Sequence, residues 1–276
     1  MKDYRKYTTR EIKKFQRIVY DYYQNFGRDL PWRSTDNPYE VLVSEIMLQQ
    51  TQVSRVVQKY VEFINTFPDI ESLAQAILRD VLTVWQGLGY NRRALSLKRL
   101  AEIVNATYGG YIPSHVSLLM QLPGIGNATA NAVCAFAFNQ PVVFIETNVR
   151  TVFIYHFFST KDTVKDSEIR PLVERTLDYD NPKHWYNALM DYGVALKKYC
   201  SNPGRKSAHH TEQSPFEGSA RQVRGAILRA LVTKPRQTFN ELIKAVRFDP
   251  DVVKKNIQSL EKEGLVINKG RYISIP

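Results

Sequence analysis

Apolar residues recur with helical spacing through most of residues 9–199, and no other feature restricts the fold as strongly. The first helix is predicted from a face of apolar residues, with Thr8 or Thr9 as its cap, and Gly27 is predicted to end it. Strand signals are few, and the clearest is the short run 142–145. These patterns predict a mainly α-helical domain. Its further helices are expected near residues 37–52, 53–66, 71–78, 80–87, 92–107, 115–121, 127–138, 147–157, 166–177 and 183–199.

The C-terminal part of the chain has a different pattern. Residues 201–217 are polar and contain Pro and Gly, which predicts a linker between a domain at 1–200 and a second domain at 218–276. The second domain is predicted to hold three amphipathic helices and two short strands around an Asn-Lys-Gly turn, the order typical of a winged helix–turn–helix. Lys254 and Lys255 lie in its predicted recognition helix. Domains of this kind bind either DNA or other proteins.

The chain is basic, and its charge is unevenly distributed. The net charge is +11, and residues 218–276 carry +7 of it, from 12 Lys or Arg against 5 Asp or Glu. Such a surface favours a polyanionic partner. No apolar run is long enough to span a membrane and the charged N-terminus lacks a signal-peptide pattern, so no membrane association is expected. Cys134 and Cys200 are far apart in the sequence, so no disulfide framework is expected. We expect a cytoplasmic monomer, nucleoid-associated in a bacterium or archaeon.

The turn 122–129, Leu-Pro-Gly-Ile-Gly-Asn-Ala-Thr, is the first candidate for a functional site. Two glycines in three positions permit a tight turn, and Asn127 or Thr129 can cap the next helix, whose N–H groups favour an anion such as a DNA phosphate. The same residues also fit a plain helix–helix turn with Gly at the C-cap. Glu146 follows Gly126 by 20 residues, past one helix, and this acid favours the functional interpretation.

The second predicted helix carries an acid among apolar residues. Val41, Glu45 and Leu48 share one helical face. Burial there raises the pKa of a carboxyl group and makes it a proton donor near neutral pH. The alternative is a Glu at the edge of the apolar arc that pairs with an Arg. The Gln-Gln-Thr-Gln run at 49–52 is either a solvated helix end or a surface that forms hydrogen bonds with bases.

Several motifs occur in one order between residues 30 and 199, and only their combination is specific. They are Leu-Pro-Trp-Arg at 30–33, Asn-Pro-Tyr at 37–39, Val-Ser-Glu at 43–45, Met-Leu-Gln-Gln-Thr-Gln-Val at 47–53, Gly-Leu-Gly-Tyr at 87–90 and Leu-Pro-Gly-Ile-Gly at 122–126. In order and spacing the chain resembles the helix-hairpin-helix (HhH-GPD) base-excision DNA glycosylases, and within them the MutY adenine glycosylase branch.

The resemblance implies a two-lobed helical glycosylase domain that removes a flipped base, adenine above all, from duplex DNA with a mispaired or damaged base. It makes Glu45 the acid that protonates the leaving adenine and Glu146 the anion beside the sugar cation, with Asn148 to orient Glu146. The residues implied to contact DNA are Gln49, Gln50, Thr51, Gln52, Leu122, Gly124, Ile125, Gly126, Asn127 and Thr129, besides Lys254 and Lys255 of the winged helix. Those implied to line the substrate pocket are Trp32, Arg33, Ala128 and Asp191.

The sequence departs from the family pattern at four points. Glu146 stands where the family has an aspartate, and Asn91 stands where a tyrosine commonly follows Gly-Leu-Gly-Tyr. The family's four iron–sulfur cysteines are not matched, so neither a metal nor another cofactor is expected. From Cys200, the other three ligand positions are Ser207, His210 and Phe216. The winged helix stands in place of the domain by which MutY proteins recognise 8-oxoguanine.

Two interpretations follow from the resemblance. The first is a monofunctional glycosylase acting on adenine, or on uracil, thymine or a damaged base, and the second is a catalytically weak glycosylase-like DNA-binding protein. Ala128 occupies the position at which bifunctional relatives carry a Schiff-base lysine. The pair Lys197 and Lys198 is expected to be exposed and solvated. We therefore expect hydrolysis by water, without strand cleavage through a Schiff base.

Overall fold

The computed structural model of the chain describes residues 7–276, and these residues are mainly α-helical, as predicted. The helices are α1 Thr9–Phe26, α2 Pro38–Leu48, α3 Val53–Thr66, α4 Ile70–Gln75, α5 Leu78–Val84, α6 Arg92–Tyr108, α7 Val116–Leu119, α8 Asn127–Phe138, α9 Thr147–Phe157, α10 Asp166–Thr176, α11 Pro182–Tyr199, α12 Ala220–Thr233, α13 Phe239–Val246 and α14 Pro250–Glu263. The strands are β1 Arg236–Thr238, β2 Ile267–Lys269 and β3 Tyr272–Ser274, and short 3₁₀ helices lie at Pro31–Arg33 and Pro203–Lys206.

The first helix shows how local sequence sets the elements. Thr8 caps α1, since its side-chain oxygen accepts a hydrogen bond from the Glu11 N–H at 3.3 Å. The Glu11 carboxylate accepts the Thr8 N–H at 2.6 Å in return, which completes a capping box. At the other end, the Gly27 N–H closes the helix on the Tyr23 carbonyl at 2.8 Å. The predicted start and end of this helix are therefore confirmed.

The second helix is shorter than predicted, because it ends at Leu48 and does not continue to residue 52. Arg93 explains this end. Its guanidinium donates hydrogen bonds to the carbonyls of Ile46 at 2.9 Å and Met47 at 2.8 Å. These carbonyls would otherwise receive N–H groups from the next helical turn. Gln50 then adopts a left-handed conformation with φ of +56°, which takes the chain out of the helix.

The strand predicted at 142–145 does not form among the described residues. The segment has no regular secondary structure, and a side chain rather than a neighbouring strand pairs with two of its backbone groups. The Tyr186 hydroxyl donates to the Val142 carbonyl at 2.9 Å and accepts the Phe144 N–H at 3.3 Å. A strand needs a partner with a matching row of N–H and C=O groups, and the run packs beside helices instead.

The described residues form two compact units. The first contains the described part of Met1–Val41, together with Ser114–Met120 and Ile125–Glu212. The second contains Leu42–Pro113, Gln121–Gly124 and Gln213–Pro276. The winged helix therefore shares a compact unit with α3–α6. The domain boundaries at residues 200 and 218 are predicted from composition, whereas the two units are defined by packing. The two divisions therefore do not test each other.

The first unit is built around aromatic side chains where α1, α9 and α11 meet. The ring of Phe15 lies 5.4 Å from that of Phe153 and 5.9 Å from that of Trp185. Trp185 and Phe153 are fully buried. Edge and tilted contacts of this kind contribute beyond the apolar area they bury. This cluster fixes α9 and α11 side by side.

A segment of the first unit lies within the stretch that the sequence predicts as a linker. Val164 pairs with it through two backbone hydrogen bonds of 2.8 Å, one to the Lys206 carbonyl and one from the Ala208 N–H. Gly204 is buried against Thr151, whose hydroxyl would lie 2.7 Å from an added Cβ. The chain after α11 is thus attached to α9 by backbone pairing and by close contact at a glycine.

Within the second unit, the winged helix packs on the preceding helices through its own first helix, α12. Helix α12 lies against α5, and the Arg221 guanidinium donates to the Tyr90 hydroxyl at 2.8 Å. Gly264, which ends α14, lies so close to the Arg99 side chain that an added Cβ would come within 2.6 Å of it. The three strands form an antiparallel sheet in the order β1-β3-β2. The predicted winged-helix layout is present, with β1 as an additional strand.

Asp191 forms a buried ion-pair network in the first unit. It is 3% exposed, and its carboxylate accepts hydrogen bonds from Arg33 at 2.7 and 2.8 Å and from the Arg28 backbone N–H at 2.7 Å. The Arg28 guanidinium adds a contact at 2.6 Å. Burial alone raises the pKa of Asp191, but the hydrogen bonds from Arg33 and Arg28 outweigh burial, and the net pKa is lowered.

We expect Asp191→Asn to lower the free energy of unfolding at pH 7 by about 3 kcal/mol, because it leaves two arginines without their buried partner. Since the folded-state pKa is lowered, this stability is present above the ordinary aspartate pKa and is lost as pH falls through the folded-state pKa. Urea unfolding at pH 7 and at decreasing pH would measure both effects. Asp21→Asn, which breaks an exposed pair with Arg17, is the matched control. A difference independent of pH would contradict the ion-pair account.

Candidate active site and nucleic-acid surface

Glu146 is the N-cap of α9, and its carboxylate is held by three N–H groups. One oxygen, Oε1, accepts the backbone N–H of Asn148 at 2.7 Å and that of Val149 at 2.8 Å. The other, Oε2, accepts the side-chain Nδ2 of Asn148 at 3.1 Å. A carboxylate at this end of a helix is stabilised by the exposed N–H groups and by the helix dipole. The glutamate thus forms a fixed, half-buried anion.

Two cations lie near this anion. Lys197 donates from Nζ to Asn148 Oδ1 at 2.8 Å. Burial lowers the pKa of Lys197, and the charge of Glu146 opposes that shift. The pKa of Arg150 is raised, chiefly by its hydrogen bonds to Asp166 and in smaller part by Glu146. The expectation that Lys197 is exposed and solvated is wrong, because the residue lies on the face of α11 that meets α9, whereas Lys198 is exposed as expected.

A glycine in α11 permits this arrangement. A Cβ at Gly193 would lie 2.7 Å from both the Cβ and the carbonyl oxygen of Asn148. No side chain fits in that space, so the first turn of α9 approaches the α11 backbone directly. Lys197 lies four residues after Gly193, one helical turn along the same face. Sequence reasoning gave Gly193 no role and named Lys197 only as an exposed residue, since neither stands out in a helical pattern.

Glu45 lies on α2 in the second unit. Most of its neighbours on that helix are buried, including Leu42, Ile46 and Met47, which are at most 1% exposed. Glu45 itself is half-buried and therefore remains partly accessible. Its expected role as the proton donor stays a prediction.

The turn at residues 49–52 is held by Arg93, which sequence reasoning did not single out. Besides the end of α2, the Arg93 guanidinium contacts the Gln49 carbonyl at 2.5 Å and the Thr51 hydroxyl at 2.9 Å. Burial lowers the pKa of Arg93 to about 10, so it stays charged at neutral pH. The guanidinium thus fixes the backbone of the turn, while Gln50 and Gln52 are exposed and Gln49 and Thr51 half-buried.

A cavity of about 480 Å³ opens beside this turn, within the second unit. Its walls combine the turn with the winged helix and the start of α6. The polar and aromatic side chains that line it include Gln49, Gln50, Tyr90, Asn91, Arg221 and Arg224. Asn91, where the family commonly has tyrosine, therefore lies beside the predicted DNA-contacting glutamines.

The glycine turn has the tight geometry predicted for it. Gly124 adopts a φ of +81°, and an added Cβ there would lie 2.8 Å from Ser96 Cβ. The prediction that Asn127 or Thr129 caps α8 is wrong, because the N-cap is Gly126, which has no side chain. Leu122 and Ile125 are buried and anchor the turn.

The end of α8 is open to solvent at several positions. Gly126, Asn127 and Ala128 are exposed, and the first turn of α8 carries no acidic residue. N–H groups at such a helix start suit an anion. Phosphate binding by this turn stays a prediction.

Arg33 and Asp191, two of the residues predicted for a substrate pocket, are paired with each other in the buried ion-pair network. The Arg33 guanidinium is directed at Asp191 through both of its terminal nitrogens. Trp32, its neighbour in the 3₁₀ helix Pro31–Arg33, is 8% exposed. The geometry gives Arg33 and Asp191 a structural task, and the contact of Arg33, Asp191 and Trp32 with a nucleotide stays a prediction.

Lys254 and Lys255 are exposed on α14, as a recognition helix requires. The positions that correspond to iron–sulfur ligands do not fit a cluster. Beyond Cys200, they hold a buried serine, an exposed histidine and an exposed phenylalanine at Ser207, His210 and Phe216. Among residues 7–276, no group of three or more His, Cys, Asp or Glu side chains could hold a metal ion. No helix within that range is long and apolar enough to cross a membrane.

Comparison with protein families gives two matches. Residues 43–175 match the model of the HhH-GPD superfamily base excision DNA repair proteins. Residues 221–267 match a winged helix-turn-helix DNA-binding model.

Several curated relatives of the chain are adenine DNA glycosylases. The protein of Buchnera aphidicola subsp. Baizongia pistaciae is 36% identical over 196 residues, which are 68% of this chain and 54% of that protein. The chain thus spans about half the length of the first relatives it matches. The Mycolicibacterium smegmatis protein is 31% identical over 265 residues, which cover 89% of this chain and 90% of that protein.

Solved structures share the fold. A thermostable thymine-DNA glycosylase superposes with a TM-score of 0.63 at 24% identity, over 70% of this chain and 91% of that one. A non-covalent endonuclease III–DNA complex superposes with a TM-score of 0.57 at 18% identity, over 76% of this chain and 91% of that one.

We expect Gly193→Ala to destabilise the chain and to disturb the site, because its new methyl group would meet Asn148 at 2.7 Å. Gly225→Ala is the matched control, since Gly225 is also inside a helix but nothing lies within 4 Å of an added Cβ. That control should stabilise the protein by about 0.5–1 kcal/mol through helix propensity. Urea unfolding would compare the two variants. An equal gain in both would show that α9 and α11 are not in close contact at Gly193.

Proposed function

Because the chain belongs to the HhH-GPD superfamily of base excision DNA repair proteins, we propose that it is a monofunctional adenine DNA glycosylase acting on duplex DNA. The family and fold predicted from the motifs are confirmed by the family matches. The observation that carries the proposal is the match to the M. smegmatis adenine DNA glycosylase, which covers nine-tenths of both chains. It includes the segments that carry Glu45 and Glu146.

The proposed reaction is hydrolysis of an N-glycosidic bond. Glu45 gives a proton to the adenine ring as the bond from the sugar C1′ to the base breaks, so adenine leaves as a neutral base. The sugar carries the positive charge, and the Glu146 carboxylate stabilises it. A water molecule adds to C1′ and gives up its proton to the Glu146 carboxylate. The products are an abasic site and free adenine.

The hydrogen bonds of Glu146 support its part in this reaction. Three N–H donors hold its carboxylate in one orientation, so little reorganisation is needed when positive charge develops. The longer glutamate side chain serves here as a helix cap, a task that aspartate performs in many helices. We infer that Glu146 takes the place of the family's aspartate.

Duplex DNA is the proposed partner. The exposed N–H groups at the start of α8 and the exposed lysines of α14 are both suited to phosphates. Endonuclease III, a structural neighbour, is described in complex with DNA. The cavity beside Gln49 and Gln50 offers space for an unstacked base within the second unit.

We expect wild-type protein to release adenine from an oligonucleotide that pairs it with 8-oxoguanine or guanine. Glu45→Gln should keep DNA affinity and lose turnover, since an amide cannot donate the required proton. Glu146→Gln should slow single-turnover release about 100-fold or more. Its new amide N–H₂ would also face the Asn148 amide donor. Glu71→Gln, an exposed acid at the start of α4, is the control.

The same panel includes uracil and thymine opposite guanine and common lesions. Preferential release of another base would identify that base, and not adenine, as the substrate. If no base were released from any oligonucleotide of the panel, a DNA-binding protein without this activity would be favoured. Full activity of Glu146→Gln would remove Glu146 from its proposed role. Glu146→Asp keeps a capping carboxylate, so it separates the negative charge from the length of the side chain.

The affinity for duplex DNA should fall steeply with salt. Replacing both Lys254 and Lys255 by Ala should reduce the slope of log K against log salt by about 2, because each phosphate contact contributes about 0.9. Fluorescence anisotropy at several salt concentrations measures the slope. Lys13 and Lys14, an adjacent exposed pair on α1, are the matched control. An unchanged slope for the α14 variant would show that neither lysine contacts a phosphate.

A further inference from the structure

Three side chains of the first unit form a continuous chain of hydrogen bonds that ends on Glu146. Lys197 donates to Asn148 Oδ1 at 2.8 Å, and Asn148 Nδ2 donates to Glu146 Oε2 at 3.1 Å. Lys197 is on α11, while the other two are at the start of α9. The amine is therefore linked to the carboxylate through one amide.

The chemistry of the three groups permits one orientation of the amide. A lysine ammonium only donates hydrogen bonds, and an ionised carboxylate only accepts them. Asn148 must therefore direct its oxygen at Lys197 and its Nδ2 at Glu146. The flipped amide would place N–H₂ against an ammonium and oxygen against a carboxylate, so two favourable contacts would become two unfavourable ones.

Without Lys197, the Asn148 side chain would lose one of the two contacts that fix this orientation, and its oxygen would have no cation to face. Glu146 Oε1 is held by two backbone N–H groups, which do not depend on any side chain. Oε2 instead receives the Asn148 amide, so the direction of this second oxygen depends on how the amide is turned. Lys197 thus acts on the half of the carboxylate that the backbone leaves unsatisfied.

The placement of Lys197 depends on the packing around it. Gly193, one turn earlier on α11, brings the Asn148 backbone against the helix. This contact puts Asn148 Oδ1 within reach of the residue four positions on. Lys197 is half-buried, its pKa is lowered by burial, and the Glu146 charge favours its protonated form. Its amine is held in the packed region between α9 and α11.

We propose that Lys197 is a positioning residue for the glycosylase reaction, which orients the Asn148 amide so that Glu146 Oε2 keeps a fixed direction. The inference rests on the proposed function for its kinetic effect. It assigns Lys197 no contact with the sugar and no Schiff base. Its role is to limit the rotation of the carboxylate that stabilises the sugar cation.

The test uses the full chain with Lys197→Met, which keeps the aliphatic side chain and removes the donor. Single-turnover base release should slow by about 10-fold or more, because a hydrogen bond to a charged group typically contributes a free energy that corresponds to such a factor. DNA affinity and the thermal midpoint should change little. Lys197→Arg, which still donates, should restore most of the rate, and the exposed Lys198→Met should match wild type.

A double-mutant cycle separates positioning from an independent effect. If Lys197 acts through Asn148, adding Lys197→Met to Asn148→Ala should cause little further loss. A full additional loss would overturn the proposal, as would wild-type rates in Lys197→Met. A covalent adduct trapped by borohydride during turnover and absent in Lys197→Met would overturn it too, because the amine would then be a nucleophile.

A second readout does not depend on catalysis. The side-chain amide resonances of Asn148, assigned by their loss in Asn148→Ala, should shift in Lys197→Met and stay in place in Lys198→Met. If wild-type protein released no base, the proposed function would fail while these resonances still tested the hydrogen-bond chain. Unchanged Asn148 resonances in Lys197→Met would overturn the inference even in an active enzyme.

Discussion

The close contact between α9 and α11 is the constraint on which the arrangement around Glu146 depends. Gly193 removes the side chain that would separate the two helices, and the buried rings of Phe153 and Trp185 hold them together. The first turn of α9 then presents its N–H groups to Glu146 while α11 supplies Lys197 from the side. A larger residue at position 193 would separate groups that are only useful within hydrogen-bond distance.

Arginine side chains perform similar structural work in both units. In the second unit, Arg93 takes the carbonyls at the end of α2 and fixes the turn that carries Gln49 and Gln50. In the first, Arg28 and Arg33 surround the buried Asp191 carboxylate. A guanidinium has five donors in a planar group, so one side chain can satisfy several acceptors that no regular helix or sheet would satisfy.

The segment after α11 is attached by backbone pairing and by a close contact at a glycine. Its backbone pairs with Val164, and Gly204 packs against Thr151. Within the second unit, the winged helix packs through α12 against α5. The Arg221 guanidinium donates to the Tyr90 hydroxyl, and Gly264 lies beside the Arg99 side chain. Backbone pairing with Val164 and the close contact at Gly204 thus hold the segment after α11 against α9, where a side chain at position 204 would meet Thr151.

The sequence by itself determined the helical class, the winged helix, the capping of α1 and the motifs that identify the family. These features are local, because periodicity, caps and turn residues act within a few positions along the chain. Only the tertiary structure decided that α2 ends at Leu48, that 142–145 remains unpaired and that Lys197 turns inward to Asn148. Each depends on a group distant in sequence: Arg93, Tyr186 or Gly193. Local patterns contain no information about which distant donor arrives beside which acceptor, so these contacts follow from packing alone.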